Sequence, residues 1–225
     1  TVTVRRQTIE LEAVTGRMAE SGDIGIVTIQ RAGNGSSEKV REEVEKLKGE
    51  GARALLLDLR DHPGGLMEEA VEMVDLFLDS GVIVSVDGRA GKQTHSATPE
   101  TVIPESWPIV VLVNGRTASA GEIVAGALKH HGRATIVGTR TLGKGSVNQV
   151  YTLPDGSALA LTVAHYRAGG EIKVAENGIE PDETVGELPE AEGRPPEEMR
   201  QTLQEAREKQ MDAALELLRG KLNEQ

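Results

Sequence analysis

The stretch ALLLDLRDHPGGLMEEAVEMVDLFL, residues 54–78, determines the expected fold. Residues 54–59 form an apolar run of strand length, and the chain then turns at Pro63-Gly64-Gly65. After the turn, apolar side chains recur at Leu66, Ala70, Met73 and Phe77, the spacing of one helix face. A buried strand, a tight corner and an amphipathic helix in this order indicate an α/β structure.

The same alternation continues on both sides of this stretch. Further strand-like runs lie at residues 24–29, 82–86, 109–113, 134–137, 147–153 and 157–164, the last two joined by the turn signal Pro154-Asp155-Gly156. Helical periodicity is found at residues 36–49 and 119–131. A charged amphipathic segment at 199–222 predicts a C-terminal helix that packs on its own core or joins copies of the chain.

Composition excludes several classes of function. The 225 residues contain 25 Lys+Arg against 36 Asp+Glu, and aromatic residues make up 2% of the chain. A net charge of −11 and so few stacking side chains argue against a nucleic-acid binder. The absence of cysteine excludes disulfides and thiolate metal sites. No apolar run is long enough for a membrane span, and no signal peptide is recognisable.

Three segments could carry chemistry, and each follows a strand run. In residues 60–65, the turn Pro63-Gly64-Gly65 leaves backbone N–H groups at a strand-to-helix corner, where they could face an oxyanion or simply form a turn. In residues 114–122, Ser119 lies among small residues near the start of a helix. It could be a nucleophile favoured by the positive helix end, or only a helix cap.

The third segment, residues 141–148, holds Lys144 between two glycines and ahead of a strand. Such a lysine could be desolvated and take a proton from a serine hydroxyl, or it could be a surface turn residue. Phosphate binding is disfavoured, because the Gly-x-x-x-x-Gly-Lys-Ser/Thr spacing is missing. No histidine and carboxylate spacing suggests a metal site, so neither metal nor cofactor is expected.

Taken in order, these segments resemble the core of the carboxy-terminal processing peptidases, also called tail-specific proteases. That family reads Leu-Arg-x-Asn-Pro-Gly-Gly, then Ser-Ala-Ser-Ala-Ser-Glu-Ile-x-Ala-Gly-Ala-Leu, then Gly-x-Lys-Thr-Phe-Gly-Lys-Gly-x-Val-Gln. The matching stretches here are residues 59–65, 117–128 and 138–148, with further matches at 153–159 and 177–182. The resemblance covers about residues 1–185.

The resemblance implies a Ser/Lys-dyad serine endopeptidase that cleaves proteins near their C-termini through an acyl-enzyme. Its implied site residues are the nucleophile Ser119, the general base Lys144, the supporting amide Asn148, and an oxyanion hole from Gly64 or Gly65 together with Ala120. Four departures from the family pattern stand out, and one of them is Leu142, which replaces a Phe. Asn148 replaces a Gln, His62 replaces the Asn before Pro-Gly-Gly, and Ala32 replaces an aromatic residue.

The resemblance also implies a ClpP/crotonase-like α/β fold of repeated β-β-α units, with a small additional β element and a C-terminal helix. We expect residues 1–18 to be a linker strand leaving a PDZ domain that this chain lacks. Residues 19–188 would be the peptidase core, and 189–225 a linker and an amphipathic helix. The implied location is extracytoplasmic, in a periplasm, cell envelope or thylakoid lumen, and the implied partners are protein or peptide C-termini.

Two alternatives stay open at this point. A Ser/His/Asp hydrolase would need one of five histidines, His62, His95, His130, His131 or His165, as the base. Because His130 and His131 end the helix that Ser119 begins, His62 is the main candidate. A protease-like module that only binds extended peptides by strand addition is the other alternative.

Overall fold

A computed structural model describes residues 12–89, 91–175, 177–186 and 195–224. The strands in these residues are β1 (Val14–Met18), β2 (Ile24–Ile29), β3 (Ala54–Asp58), β4 (Val82–Gly88), β5 (Gly91–Ser96), β6 (Ile109–Val113), β7 (Thr135–Gly138), β8 (Ser146–Thr152), β9 (Ala158–Ala168), β10 (Ile172–Lys173) and β11 (Glu183–Thr184). The helices are α1 (Ser36–Gly49), α2 (Met67–Asp75), α3 (Ala120–His130) and α4 (Pro196–Asn223). Residues 1–11 and 187–194, which include parts of the two predicted linkers and the last two residues of the predicted core, lie outside the described ranges.

Six strands form the central sheet, in the order β1-β2-β3-β6-β7-β11. Strand β1 is antiparallel to β2, and every other pair in this sheet is parallel. Strands β3 and β6 are direct neighbours, so the turns that follow them emerge side by side at the carboxyl edge of the sheet. This edge is where an open parallel sheet places its ligands.

The two faces of this sheet are covered by different helices. Successive strand residues point to opposite faces. Leu55 and Leu57 therefore pack in the larger core with α1, α2 and α3, whereas Leu56 packs in a smaller core with α4. Because both faces are covered, the strands are apolar throughout, as in residues 54–57.

Helix α4 buries one stripe of side chains spaced four residues apart. These are Ala206, Gln210, Ala214, Leu218 and Leu222. Ala214, Leu218 and Leu222 pack in the smaller core, so the helix packs on its own chain. An oligomer formed through this helix stays a prediction.

A second, antiparallel sheet has the order β10-β9-β4-β5, and β8 pairs with β9. This is the additional β element expected after residue 147, although β9 continues to Ala168, beyond the predicted end at 164. The β8–β9 hairpin is exposed over most of its length, including Val150, Leu159 and Leu161. Among the described helices, none combines the length and the apolar character needed to cross a bilayer.

Candidate active site

The turns after β3 and β6 are in direct contact. The Ala118 N–H donates to the His62 carbonyl oxygen at 2.8 Å, which joins the two turns through their backbones. A Cβ added to Gly64 would lie 2.8 Å from the Ser119 Cβ. Gly64 has φ 112°, a conformation that favours glycine, so both the backbone and the available space require glycine here.

Ala32 lies on the other side of this turn and fixes its path. The Ala32 N–H donates to the Gly64 carbonyl at 3.2 Å, and the Leu66 N–H donates to the Ala32 carbonyl at 2.8 Å. Ala32 is buried. The small side chain at this departure from the family pattern is therefore packed in the core and leaves the Gly-Gly turn anchored on both sides.

Ser119 is the residue before the first residue of α3, and its backbone is strained. Its φ is 53° and its ψ is −114°, a combination that residues with a side chain rarely adopt. The side chain is half-buried. Ser119 thus occupies the helix-cap position that the sequence suggested, in a sharp strand-to-helix turn of the kind that presents a nucleophile.

Glu122 connects the Ser119 turn to the Lys144 loop. Its carboxylate, fully buried, accepts hydrogen bonds from the N–H groups of Ser119 at 2.8 Å, Gly143 at 2.7 Å and Lys144 at 2.9 Å. A fourth hydrogen bond comes from the Thr141 hydroxyl at 2.5 Å. A buried carboxylate needs this degree of hydrogen bonding, and its partners lie in two separate segments of the chain.

Tyr166, on β9, connects the same two residues through their carbonyl groups. Its hydroxyl lies 3.0 Å from the Ser119 carbonyl oxygen and 2.8 Å from that of Lys144, and can donate to either. Burial raises the pKa of Tyr166, and the nearby Glu122 carboxylate adds to the effect, so the phenol remains a donor. Residues 119 and 144 are therefore held by Glu122 at their N–H groups and by Tyr166 at their carbonyls.

Of the two alternatives that the sequence left for Lys144, desolvated or at a surface turn, the structure shows the second. Lys144 is exposed, and its neighbour Leu142, which could have covered it, is 61% exposed. The β8–β9 hairpin that follows is itself exposed over most of its length and leaves the amine uncovered. The Lys144 amine has no hydrogen-bond or ion-pair partner among the described residues.

Asn148 does not support Lys144 in this structure. Its side chain is exposed, and its Oδ1 accepts a hydrogen bond from the Thr162 hydroxyl at 2.9 Å. Thr162 is the cross-strand partner of Asn148 in the β8–β9 pair. The expected hydrogen bond from Asn148 to the Lys144 amine is replaced here by this cross-strand contact.

Two backbone N–H groups are unpaired beside Ser119. Those of Gly65 and Ala120 have no hydrogen-bond partner among the residues described, whereas the Gly64 N–H donates to Nδ1 of His62 at 3.2 Å. Ala120 directly follows Ser119, as an oxyanion donor does in many acyl-transfer sites. Of the two glycines named from sequence, Gly65 is thus the one with a free donor.

A cavity of about 330 Å³ brings these segments together. Five of the six site residues expected from sequence line it: Gly65, Ser119, Ala120, Lys144 and Asn148. Gly64 lies behind them, against Ser119. Apolar parts of Leu66, Met67 and Ile123 complete one wall. The arrangement offers a hydroxyl, an amine and two unpaired N–H groups around one space.

A histidine base is not supported by the geometry. All five histidines are among the described residues, and none lines this cavity. His62, the main candidate, is 1% exposed, and burial lowers its pKa to about 4 with a smaller contribution from Arg31. His131 instead hydrogen-bonds the Val82 carbonyl through Nε2. The described residues also contain no group of histidine and carboxylate side chains that could hold a metal ion.

Helix α4 contacts the loop that leads to Gly65. The Arg60 guanidinium forms a buried ion pair with Asp58 at 2.6 Å and donates to the Arg207 carbonyl at 2.8 Å. Arg207 in turn pairs with Asp61. Despite partial burial, which acts in the opposite direction, hydrogen bonds from Asn114 and Arg207 lower the pKa of Asp61. The loop is thus connected to α4 by charged groups from both sides.

Sequence reasoning missed Glu122, Tyr166 and this contact with α4. For Glu122 a signal existed, since Ser-x-x-Glu at residues 119–122 is a capping-box pattern. For Tyr166 the sequence contains no signal, because only the packing of β9 brings its hydroxyl to Ser119.

Comparison with known proteins identifies a family and several relatives of this chain. Residues 23–185 match the model of peptidase family S41. The chain is 38% identical over 189 residues to the carboxyl-terminal-processing peptidase 2, chloroplastic, of Arabidopsis thaliana, a match covering 80% of this chain and 37% of that protein. It is also 38% identical over 192 residues to a carboxyl-terminal-processing protease of Picosynechococcus, covering 84% and 46%. The chain therefore spans less than half the length of these relatives.

Among solved structures, the photosystem II D1 C-terminal processing protease matches with a TM-score of 0.71 and 31% identity, covering 80% of this chain and 50% of that one. A peptidase structure from Parabacteroides merdae matches with a TM-score of 0.67 at 18% identity, which bears on the fold alone. The ClpP/crotonase-like α/β fold expected from the resemblance is confirmed.

Proposed function

Since this chain belongs to peptidase family S41, we propose that it is a serine endopeptidase with Ser119 as nucleophile and Lys144 as general base. The observation that carries the proposal is the shared cavity. Ser119, Lys144 and the free N–H groups of Gly65 and Ala120 come from three separate segments and border one space.

The proposed reaction follows acyl-transfer chemistry. The Ser119 hydroxyl attacks the scissile carbonyl carbon while its proton passes to the neutral Lys144 amine. The N–H groups of Gly65 and Ala120 donate to the carbonyl oxygen as it becomes negative. When the C–N bond breaks, the protonated amine returns the proton to the leaving nitrogen. Water then attacks the acyl carbon while Lys144 accepts its proton, and as the bond to Ser119 Oγ breaks, Lys144 returns that proton to the serine oxygen.

Because Lys144 is exposed, we expect bound substrate to help produce the neutral amine that acts as the base. An amine in water favours its charged form, whereas removal of water favours the neutral form. A polypeptide lying in the cavity would cover the amine between the hairpin and the wall of Leu66 and Met67. Substrate binding would then both place the scissile bond and desolvate the base.

The substrate class is proposed from the relatives. Proteins named carboxyl-terminal-processing proteases match over most of this chain, so we propose protein or peptide segments near a C-terminus as substrates. An extracytoplasmic site of action is proposed on the same basis; the Arabidopsis relative is named chloroplastic. The family match over residues 23–185 lies inside the proposed core of 19–188.

The direct test is labelling with a fluorophosphonate probe, followed by cleavage of a fluorogenic C-terminal peptide. The intact chain should be labelled and active, and Ser119→Ala should be neither. Lys144→Arg should be inactive at every usable pH, because a guanidinium stays protonated. Activity in either variant would overturn the corresponding assignment.

The uncovered Lys144 and the occupied Asn148 amide also favour a second candidate, a non-catalytic module that binds extended peptides by strand addition to the exposed hairpin. Absence of labelling, together with measurable peptide binding by the intact chain, would select this candidate.

A further inference from the structure

His62 is a buried polar residue that the proposed reaction does not use. Its ring is 1% exposed and lies against the first turn of α3, where a Cβ on Gly121 would come within 2.8 Å of the Nδ1 atom. Its backbone N–H donates to the Leu59 carbonyl at 3.2 Å. The residue therefore sits between the end of β3 and the helix that begins after Ser119.

The Nδ1 atom of His62 accepts a hydrogen bond from the Gly64 N–H, two residues further along the chain, at 3.2 Å. Asn and Asp side chains make the same contact, to the backbone two residues on, when they stabilise Asx turns. An imidazole can accept at Nδ1 only when that nitrogen carries no proton. Burial, and to a smaller extent the positive charge of Arg31, lower the pKa of His62 and keep the ring neutral, and the Gly64 contact then selects the tautomer with an unprotonated Nδ1.

This hydrogen bond occupies the Gly64 N–H and, together with the backbone bonds of Ala32, holds the turn. The Gly64 carbonyl accepts from the Ala32 N–H at 3.2 Å, which orients the Gly64–Gly65 peptide and its N–H group, and the His62 contact holds the peptide before it. With the Gly64 N–H held by His62, the unpaired donor is Gly65, which lines the cavity beside Ser119.

We propose that His62 is a positioning residue that holds the Pro63-Gly64-Gly65 turn in an Asx-like conformation and so directs the Gly65 N–H to the oxyanion. The inference rests on the proposed function. It also gives a physical reason why histidine can stand where the family pattern has asparagine, because both side chains offer a neutral acceptor to the N–H two residues on.

The test compares His62→Asn, which keeps an acceptor, with His62→Leu, which keeps apolar bulk but has none. His62→Leu should lower kcat at least about tenfold with KM within about twofold, since displacing an oxyanion donor affects the transition state more than substrate binding. His62→Asn should recover kcat to within about threefold of the parent. Equal kcat in the parent and His62→Leu would overturn the proposal.

A second measurement, by NMR, monitors the conformation of the turn independently of activity. Pro63-Gly64 is the only Pro-Gly pair in the sequence, so labelling proline carbonyls with 13C and glycine amides with 15N gives a single NMR cross-peak, from Gly64. At neutral pH its amide proton should keep its position in His62→Asn and move upfield in His62→Leu. An unmoved peak in His62→Leu would overturn the role of His62, whether or not the chain is a peptidase.

The two readouts separate the possible failures. If the parent protein shows no turnover but the Gly64 peak responds as expected, the proposed function fails and the turn assignment stands. If the parent is active and the peak moves in His62→Leu while kcat does not change, the turn forms as described but does not position the oxyanion donor, and the proposal is wrong.

Discussion

At the scale of single residues, the proposed nucleophile Ser119 has an unfavourable backbone conformation. Its φ of 53° and ψ of −114° cost on the order of 1–3 kcal/mol for a residue with a side chain. The hydrogen bond from its N–H to Glu122 and the contact of its carbonyl with Tyr166 hold it there. The surrounding structure therefore maintains a conformation that Ser119 would not adopt alone.

Replacing Ser119 by glycine should raise stability while removing activity. Glycine tolerates this backbone conformation, although its greater freedom in the unfolded chain offsets about 0.5–1 kcal/mol of the gain. We expect Ser119→Gly to exceed Ser119→Ala by about 1 kcal/mol in unfolding free energy, measured by urea denaturation. Ser119→Ala is the matched control because it keeps the Cβ atom. Equal stability of the two variants would contradict the strain.

Tyr166→Phe should weaken the connection between Ser119 and Lys144. The Ser119 carbonyl keeps the N–H donors of Glu122 and Ile123, but the Lys144 carbonyl loses its hydroxyl partner. We expect this loss to cost about 1–3 kcal/mol of stability and kcat to fall about tenfold. The other tyrosine of the chain, Tyr151, is the control, because its hydroxyl contacts only the exposed Gln149. Tyr151→Phe should change stability by less than about 0.5 kcal/mol. Similar effects in both variants would argue against the role of Tyr166.

At the scale of elements, the buried stripe of α4 predicts that two adjacent leucines contribute differently to stability. Leu218 is fully buried in the smaller core, whereas Leu217 is half-buried. Leu218→Ala should lower the unfolding free energy by about 2–5 kcal/mol, since it removes buried methyl groups and leaves a cavity. Leu217→Ala should cost clearly less in the same denaturation experiment. Equal losses would mean that α4 does not pack by this stripe.

The elements also show what sequence can predict. Residues 24–29 and 109–113 could be identified as strands because a strand buried on both faces is a continuous apolar run. Strand β5, GKQTHS, was missed because it is largely exposed and has no apolar alternation; it forms by pairing with β4. The two-residue strands β10 and β11 likewise depend on their neighbours.

The candidate site likewise has parts that the sequence predicts and parts that depend on tertiary structure. Ser119, Lys144 and the Gly-Gly turn lie in compact motifs that can be read along the chain. The sequence left open whether Lys144 is desolvated or exposed, because that depends on tertiary packing around the β8–β9 hairpin. The engagement of Asn148 with Thr162 depends on the register of that hairpin, including the irregularity between Val147 and Asn148.

At the scale of the whole molecule, stability should depend on pH through His62. Its pKa falls from 6.5 to about 4 on folding, so the unfolded chain binds the proton more readily than the folded one. The contribution is complete above pH 6.5 and decreases as the pH falls towards 4, by roughly 3 kcal/mol in all. Denaturation at a series of pH values should show this loss, and His62→Asn should lack that part of the slope. An identical slope in the variant would assign the effect to other groups.

Helix α4 is attached along a single stripe and also carries Arg207, which pairs with Asp61 in the loop before Gly65. Free energies of local opening differ across a protein, and an element held in this way can separate while the sheets persist. A molecule in that partly opened state would retain most of its secondary structure but would lose the contact between Arg207 and the loop before Gly65. Loss of the proposed activity on heating should therefore begin several degrees below the loss of β-sheet signal in circular dichroism.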